Sequence, residues 1–129
     1  MKIRKHSYPD ETYQIGIDFD GVIHKNSKGF YDGTVYDEPV IGAMESLKEI
    51  SKNYDIIIYS AKARKDRMLI NGKTGKELIE EWLVKQDLMK YVKEVTSEKP
   101  RAVCYIDDKG VEFKDWASCM DLLRTKGVL

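Results

Sequence analysis

The sequence predicts an α/β fold, a single Rossmann-like parallel sheet flanked by helices. Three observations carry this. Segments of strand and helix character alternate along the chain. The clearest strands are continuous apolar runs, the pattern of strands buried on both faces. These runs lead into oxygen-bearing side chains at Asp18, Ser60 and Asp107. With 129 residues, 42% of them hydrophobic and 34% charged, the chain reads as one domain over 1–129 with one core.

The first strand is Tyr13-Gln14-Ile15-Gly16-Ile17, running into Asp18. A polar loop from His24 to Asp37 follows, where Gly29 and Gly33 bracket Phe30, Tyr31 and Asp32. That spacing suits a short hairpin or flap. The first helix is expected to start near Pro39, with Val40, Ala43, Met44, Leu47 and Ile50 at helical spacing. Asp55-Ile56-Ile57-Ile58-Tyr59 is the second strand and ends at Ser60. Thr74 and Glu77 form a capping box for a second helix, whose apolar face is Leu78, Ile79, Trp82 and Leu83. A short strand is expected over Tyr91 to Val95. Another follows over Ala102-Val103-Cys104-Tyr105-Ile106, ending at Asp107-Asp108. The last helix covers roughly Trp116 to Leu123.

Lys plus Arg (22) balances Asp plus Glu (22), which argues against bulk nucleic-acid binding. Cys104 and Cys119 lack a CxxC spacing and read as reduced thiols in or near the core. The N-terminus has no apolar run behind its basic residues, and no stretch approaches a membrane-spanning length, so a cytoplasmic protein is expected.

In a parallel sheet the strand ends lie on one edge, where ligands of open α/β sheets bind. Asp18, Asp20, Ser60, Asp107 and Asp108 should therefore converge. Asp18 and Asp20 stand two apart and face the same way if the extended geometry persists. Four clustered carboxylates repel without a cation, and oxygen-only ligands suit Mg²⁺. Lys99, just before Pro100 and the strand leading to Asp107, is placed to reach the same edge. Lys93 or Lys109 could take its place. Ser60 offers a hydroxyl and Ala61 a backbone N–H to phosphate oxygens. An aspartate can attack phosphorus, and a carboxylate two residues on can protonate the leaving oxygen and then activate water.

These residues resemble the four motifs of the haloacid dehalogenase-like hydrolase superfamily. Asp18-Phe19-Asp20-Gly21-Val22 resembles the first motif, Ser60 the second, Lys99 the third and Asp107-Asp108 the fourth. The resemblance covers about residues 13–115. It implies Asp18 as nucleophile and metal ligand, and Asp20 as general acid/base with its backbone carbonyl on the metal. Ser60 and Lys99 would bind phosphate. Asp107 would be a direct metal ligand, and Asp108 a direct or water-mediated one. An aspartate at position 20 points to a phosphatase or phosphomutase rather than a dehalogenase. The short segments after the first motif and between the second and third imply a member without a cap domain. Its substrate would be a phosphorylated small molecule or a nucleic-acid end, with a neighbouring subunit as one source of a lid.

Lys62, Arg64, Lys65 and Arg67 follow Ser60 as a basic cluster. They read either as a solvated helix face or, with Arg64 foremost, as a contact for a second anionic group. His24 reads as an exposed loop histidine. Gly72-Lys73-Thr74 is no P-loop, since Arg67 stands where that motif needs glycine. The leading expectation is a Mg²⁺-dependent phosphomonoester hydrolase. The alternatives are a polynucleotide 3′-phosphatase-like activity, a phosphomutase, and a phospho-acceptor or phosphate-binding domain.

Overall fold

The computed structural model describes residues 13–107 and 111–129. The N-terminal residues read above for a leader, together with Asp108 and Lys109, lie outside the described residues. The elements in chain order are β1 (Gln14–Asp18), α1 (Ala43–Ser51), β2 (Asp55–Tyr59), α2 (Gly75–Lys85), β3 (Val92–Thr96), β4 (Cys104–Asp107), β5 (Val111–Glu112) and α3 (Trp116–Thr125). The strands form one sheet in the order β3-β2-β1-β4-β5, and every neighbouring pair is parallel. The α/β, Rossmann-like architecture expected from the sequence is thus observed.

The apolar runs explain the centre of the sheet. Ile15, Ile17, Ile56, Ile58 and Ile106 are fully buried, and Leu47 and Ile50 of α1, Ile79 and Leu83 of α2 and Trp116 of α3 join them in one core. Each such side chain contributes ~1.5–3 kcal/mol of burial free energy before the cost of ordering it. The register pairs Ile17 with Ile58 on one side and Ile106 on the other, so Asp18 lies opposite Tyr59. Asp107 follows Ile106 one residue on. Three adjacent strands therefore deliver their functional ends to the same edge.

The expected capping box of α2 is present. Thr74 Oγ1 accepts from the Glu77 N–H at 3.1 Å, and a Glu77 carboxylate oxygen accepts from the Thr74 N–H at 2.9 Å. No helix among the described residues is long and apolar enough to cross a membrane.

Two boundaries differ from the sequence reading. Helix α1 begins at Ala43, not near Pro39. Gly42 stands before it at φ +90°, a left-handed conformation that no helical residue adopts, and a Cβ there would sit 3.1 Å from Trp116 Cβ. Pro39 bridges His24 instead, and the Val40 N–H donates to Ile23 O at 2.8 Å. The stretch 25–37 forms successive turns and has no hairpin ladder of its own. Side chains organise it: Asp37 accepts from the Ser27 N–H and hydroxyl, Asp32 accepts from the Thr34 N–H and hydroxyl, and the Tyr36 hydroxyl accepts from the Lys28 N–H.

Two indoles hold this segment. The Trp82 N–H donates to Asp37 O at 2.9 Å, and the Trp116 N–H donates to Val22 O at 3.1 Å. The first fixes the end of the turns and the second fixes the chain just beyond the β1 edge.

Candidate active site

At the centre of the edge, Asp18 ends β1 and Asp107 ends β4. The Phe19 N–H donates to Asp18 Oδ1 at 2.8 Å, a local bond that holds the carboxylate at the strand end. Asp107 is buried. It accepts from the Tyr59 hydroxyl at 2.5 Å and pairs with the Lys99 ammonium at 3.3 Å, through the same Oδ2. Burial, then the bond to Asp107, then the negative charges of Asp107 and Asp18, push the Tyr59 phenol far above its ordinary value. Tyr59 therefore stays protonated and donates. The Lys99 ammonium lies 4.3 Å from the centre of the Tyr105 ring, an attractive cation–π placement that leaves the lysine half exposed. Lys99 thus reaches the edge as expected. The sequence marks Tyr59 only as the end of a strand. Its role shows in the register, because residues paired across parallel strands share a face and Tyr59 is paired with Asp18.

Ser60 is buried just after β2. Its N–H donates to Thr96 O, and its Oγ accepts from the Lys62 N–H at 3.1 Å, which caps a short 3-10 turn over Ala61–Ala63. Ala61 is exposed at the start of that turn. The turn packs on the N-terminus of α2 so closely that a Cβ on Gly75 would lie 1.6 Å from Lys62 O.

Asp20, His24 and Lys62 form a second group, and here three expectations are corrected. His24 is fully buried rather than exposed. Its ring stacks on Phe19 at 5.3 Å between centroids and meets Trp82 and Tyr36 edge-on. The Asp37 N–H donates to Nε2 at 2.9 Å, so the ring proton sits on Nδ1 and is donated to Asp20 Oδ1 at 2.9 Å. Lys62 is not part of a solvated helix face. The 3-10 turn is too short to form one, and the Lys62 ammonium is buried, 3.2 Å from both Asp20 Oδ1 and Thr34 O. Asp20 engages His24 and Lys62 through its side chain, and among the described residues it forms no three-carboxylate group with Asp18 and Asp107. Burial alone would raise the Asp20 carboxyl. The His24 hydrogen bond and the Lys62 ammonium outweigh that and hold it below its ordinary value.

The rest of the basic run divides. Arg64 grips Asp66 through two hydrogen bonds, at 3.0 and 2.6 Å, and is exposed. It faces a shallow recess with Lys65, Thr96, Ser97 and Glu98, so its leading place among the candidate substrate contacts is not matched by a position beside Asp20. Arg67 lies over the Phe30 ring, 5.4 Å from its centre, and lines a cleft with Lys62.

Among the described residues, no three His, Cys, Asp or Glu side chains gather as a metal group. Two carboxylates on adjacent strand ends, Asp18 and Asp107, are nonetheless an oxygen-only donor pair, and Asp108 lies outside the described residues. Mg²⁺ commonly takes one or two carboxylates and completes its shell with water and phosphate, so the donors fit that ion. Cys104 and Cys119 are both free thiols that burial pushes up to about 11, which makes them poor nucleophiles. Comparison with protein-family models, with curated proteins and with solved structures gave no significant match to this chain.

Proposed function

We propose that the protein is a Mg²⁺-dependent phosphomonoester hydrolase of the haloacid dehalogenase-like type, acting through an aspartyl-phosphate. The observation that carries this reading is the arrival of Asp18, Ser60 and Asp107 at one edge of three adjacent parallel strands, with Lys99 on Asp107. That edge offers a carboxylate to attack phosphorus, a hydroxyl and an ammonium for phosphate oxygens, and two carboxylates for Mg²⁺.

In this reading an Asp18 Oδ attacks phosphorus, the P–O bond to the organic group breaks, and Asp20 gives the departing oxygen a proton. Asp20 then takes a proton from water, the resulting hydroxide attacks phosphorus, the bond to Asp18 breaks and inorganic phosphate leaves. Bound Mg²⁺ would offset the negative charge that builds on the phosphoryl oxygens. His24 orients Asp20 through its Nδ1–H. The Lys62 pair favours the base half of the cycle and must loosen for the acid half. Phosphate oxygens entering beside Ser60 offer its ammonium another partner.

Turnover of 4-nitrophenyl phosphate should require Mg²⁺, vanish in excess EDTA and return when Mg²⁺ is restored. Full turnover in excess EDTA would overturn the metal-dependent reading. Multiple turnovers also separate an enzyme from a phospho-acceptor domain, which would stop after one phosphoryl group per chain.

A further inference from the structure

We propose that the cleft on the far side of Lys62 receives the organic part of the substrate, and that this part carries a flat aromatic ring. The inference rests on the phosphohydrolase reading and names the substrate class that reading leaves open.

The position of the cleft follows from the chemistry. The leaving oxygen must come within hydrogen-bond reach of Asp20, the group that protonates it. One flank of Asp20 is closed by the fully buried His24, itself enclosed by Phe19, Tyr36 and Trp82. Lys62 bounds another flank. Lys62 also lines a cavity of about 330 Å³, together with Phe30, Gly33, Arg67, Met68 and Ile70. That volume lies at the lower end of the range for small-molecule sites, enough for a group of one or two rings. Lys62 stands between Asp20 and this cavity, so the group on an ester oxygen at Asp20 enters it as the Lys62 ammonium turns from Asp20 to phosphate, the loosening that the acid half of the cycle requires.

The walls choose the group. Phe30 is 58% exposed and Met68 90% exposed, and both line the same cavity as Lys62. The Arg67 guanidinium already lies over the Phe30 ring, so a slot bounded by Phe30, Arg67 and Met68 presents an aromatic face, a planar cation and a thioether. All three attract an aromatic ring more than an aliphatic chain. Ile70 closes the cleft against the Gly33 turn, where a Cβ would come within 2.8 Å of its terminal methyl.

The test uses non-hydrolysable probes, so that binding is read apart from turnover. Phenylphosphonate and methylphosphonate are titrated calorimetrically into the full chain with Mg²⁺ present. The wild type should bind the phenyl probe about 10-fold more tightly. Phe30→Ala and Met68→Ala, both at exposed positions, should each bring the ratio to within about 2-fold while leaving methylphosphonate affinity unchanged. Equal affinities in the wild type would overturn the proposal, as would a preference that both variants keep. Sedimentation of the same variants covers another occupant. A dimer abolished by Phe30→Ala, with no phenyl preference, would assign the patch to a second copy of the chain and also overturn it. A phenyl preference that depends on Phe30, with no hydrolysis of any phosphomonoester, would sustain the cleft and remove the hydrolase reading.

Discussion

Asp18→Asn is expected to abolish phosphate release from 4-nitrophenyl phosphate, by on the order of 10⁴-fold or more, while the fold survives. Removing a nucleophile costs this much because the remaining groups only position and polarise. The fold should survive because the amide oxygen of asparagine can still accept from the Phe19 N–H, the bond now made by Asp18 Oδ1. One of the two negative charges acting on Tyr59 at the strand edge is also removed. The urea midpoint of the variant should therefore stay close to that of the wild type. Activity within about 10-fold of wild type in the purified variant would remove Asp18 from the nucleophile's role.

Gly75→Ala should be the most disruptive alanine substitution among the described glycines. At the first turn of an exposed helix, alanine normally gains up to ~1 kcal/mol over glycine by narrowing the unfolded ensemble. Here the added Cβ would lie 1.6 Å from Lys62 O and 2.6 Å from Lys62 C, both backbone atoms. No rotamer relieves that. The Ala61–Ala63 turn or the start of α2 has to move, at the upper end of the ~1–3 kcal/mol that overpacking costs. Where the turn is the part that yields, the shift also carries the Lys62 ammonium away from Asp20 and Thr34. A urea midpoint well below wild type, with lower kcat/KM in the surviving folded fraction, is the expected result. An unchanged or raised midpoint would show that the two backbones separate in solution.

The sheet was legible because it rests on local signals. Runs such as Asp55-Ile56-Ile57-Ile58-Tyr59 state their own burial, and Thr74 with Glu77 states a helix start. Parallel topology then gathers the strand ends without side-chain detail. What was not legible depends on contacts between segments far apart in sequence. Lys62 looked like one more cation in a basic run, and only the 3-10 turn after Ser60 aims it at Asp20, 42 positions earlier. His24 looked polar and exposed because nothing near it in sequence announces Trp82, or the Asp37 N–H that fixes its tautomer. The start of α1 failed for a related reason. Pro39 is a valid first-turn residue, but Gly42 takes a left-handed conformation just before Ala43, at a place where the approach of Trp116 leaves little room for a Cβ.

Both tryptophans of the chain donate to the backbone of the stretch that follows Asp20, Trp116 at Val22 and Trp82 at Asp37. The protein thus carries its own optical probe at each end of that stretch. Trp82 also touches the His24 ring, one bond from Asp20, whereas Trp116 sits against Phe113 and Gly42, away from the ion pair. If phosphate draws Lys62 from Asp20 and Thr34, the disturbance reaches Trp82 first. Emission from a Trp116→Phe protein should then change on adding phenylphosphonate with Mg²⁺, and emission from a Trp82→Phe protein should stay constant. Equal responses from the two would mean that binding is felt throughout the sheet instead of along the turns between residues 25 and 37.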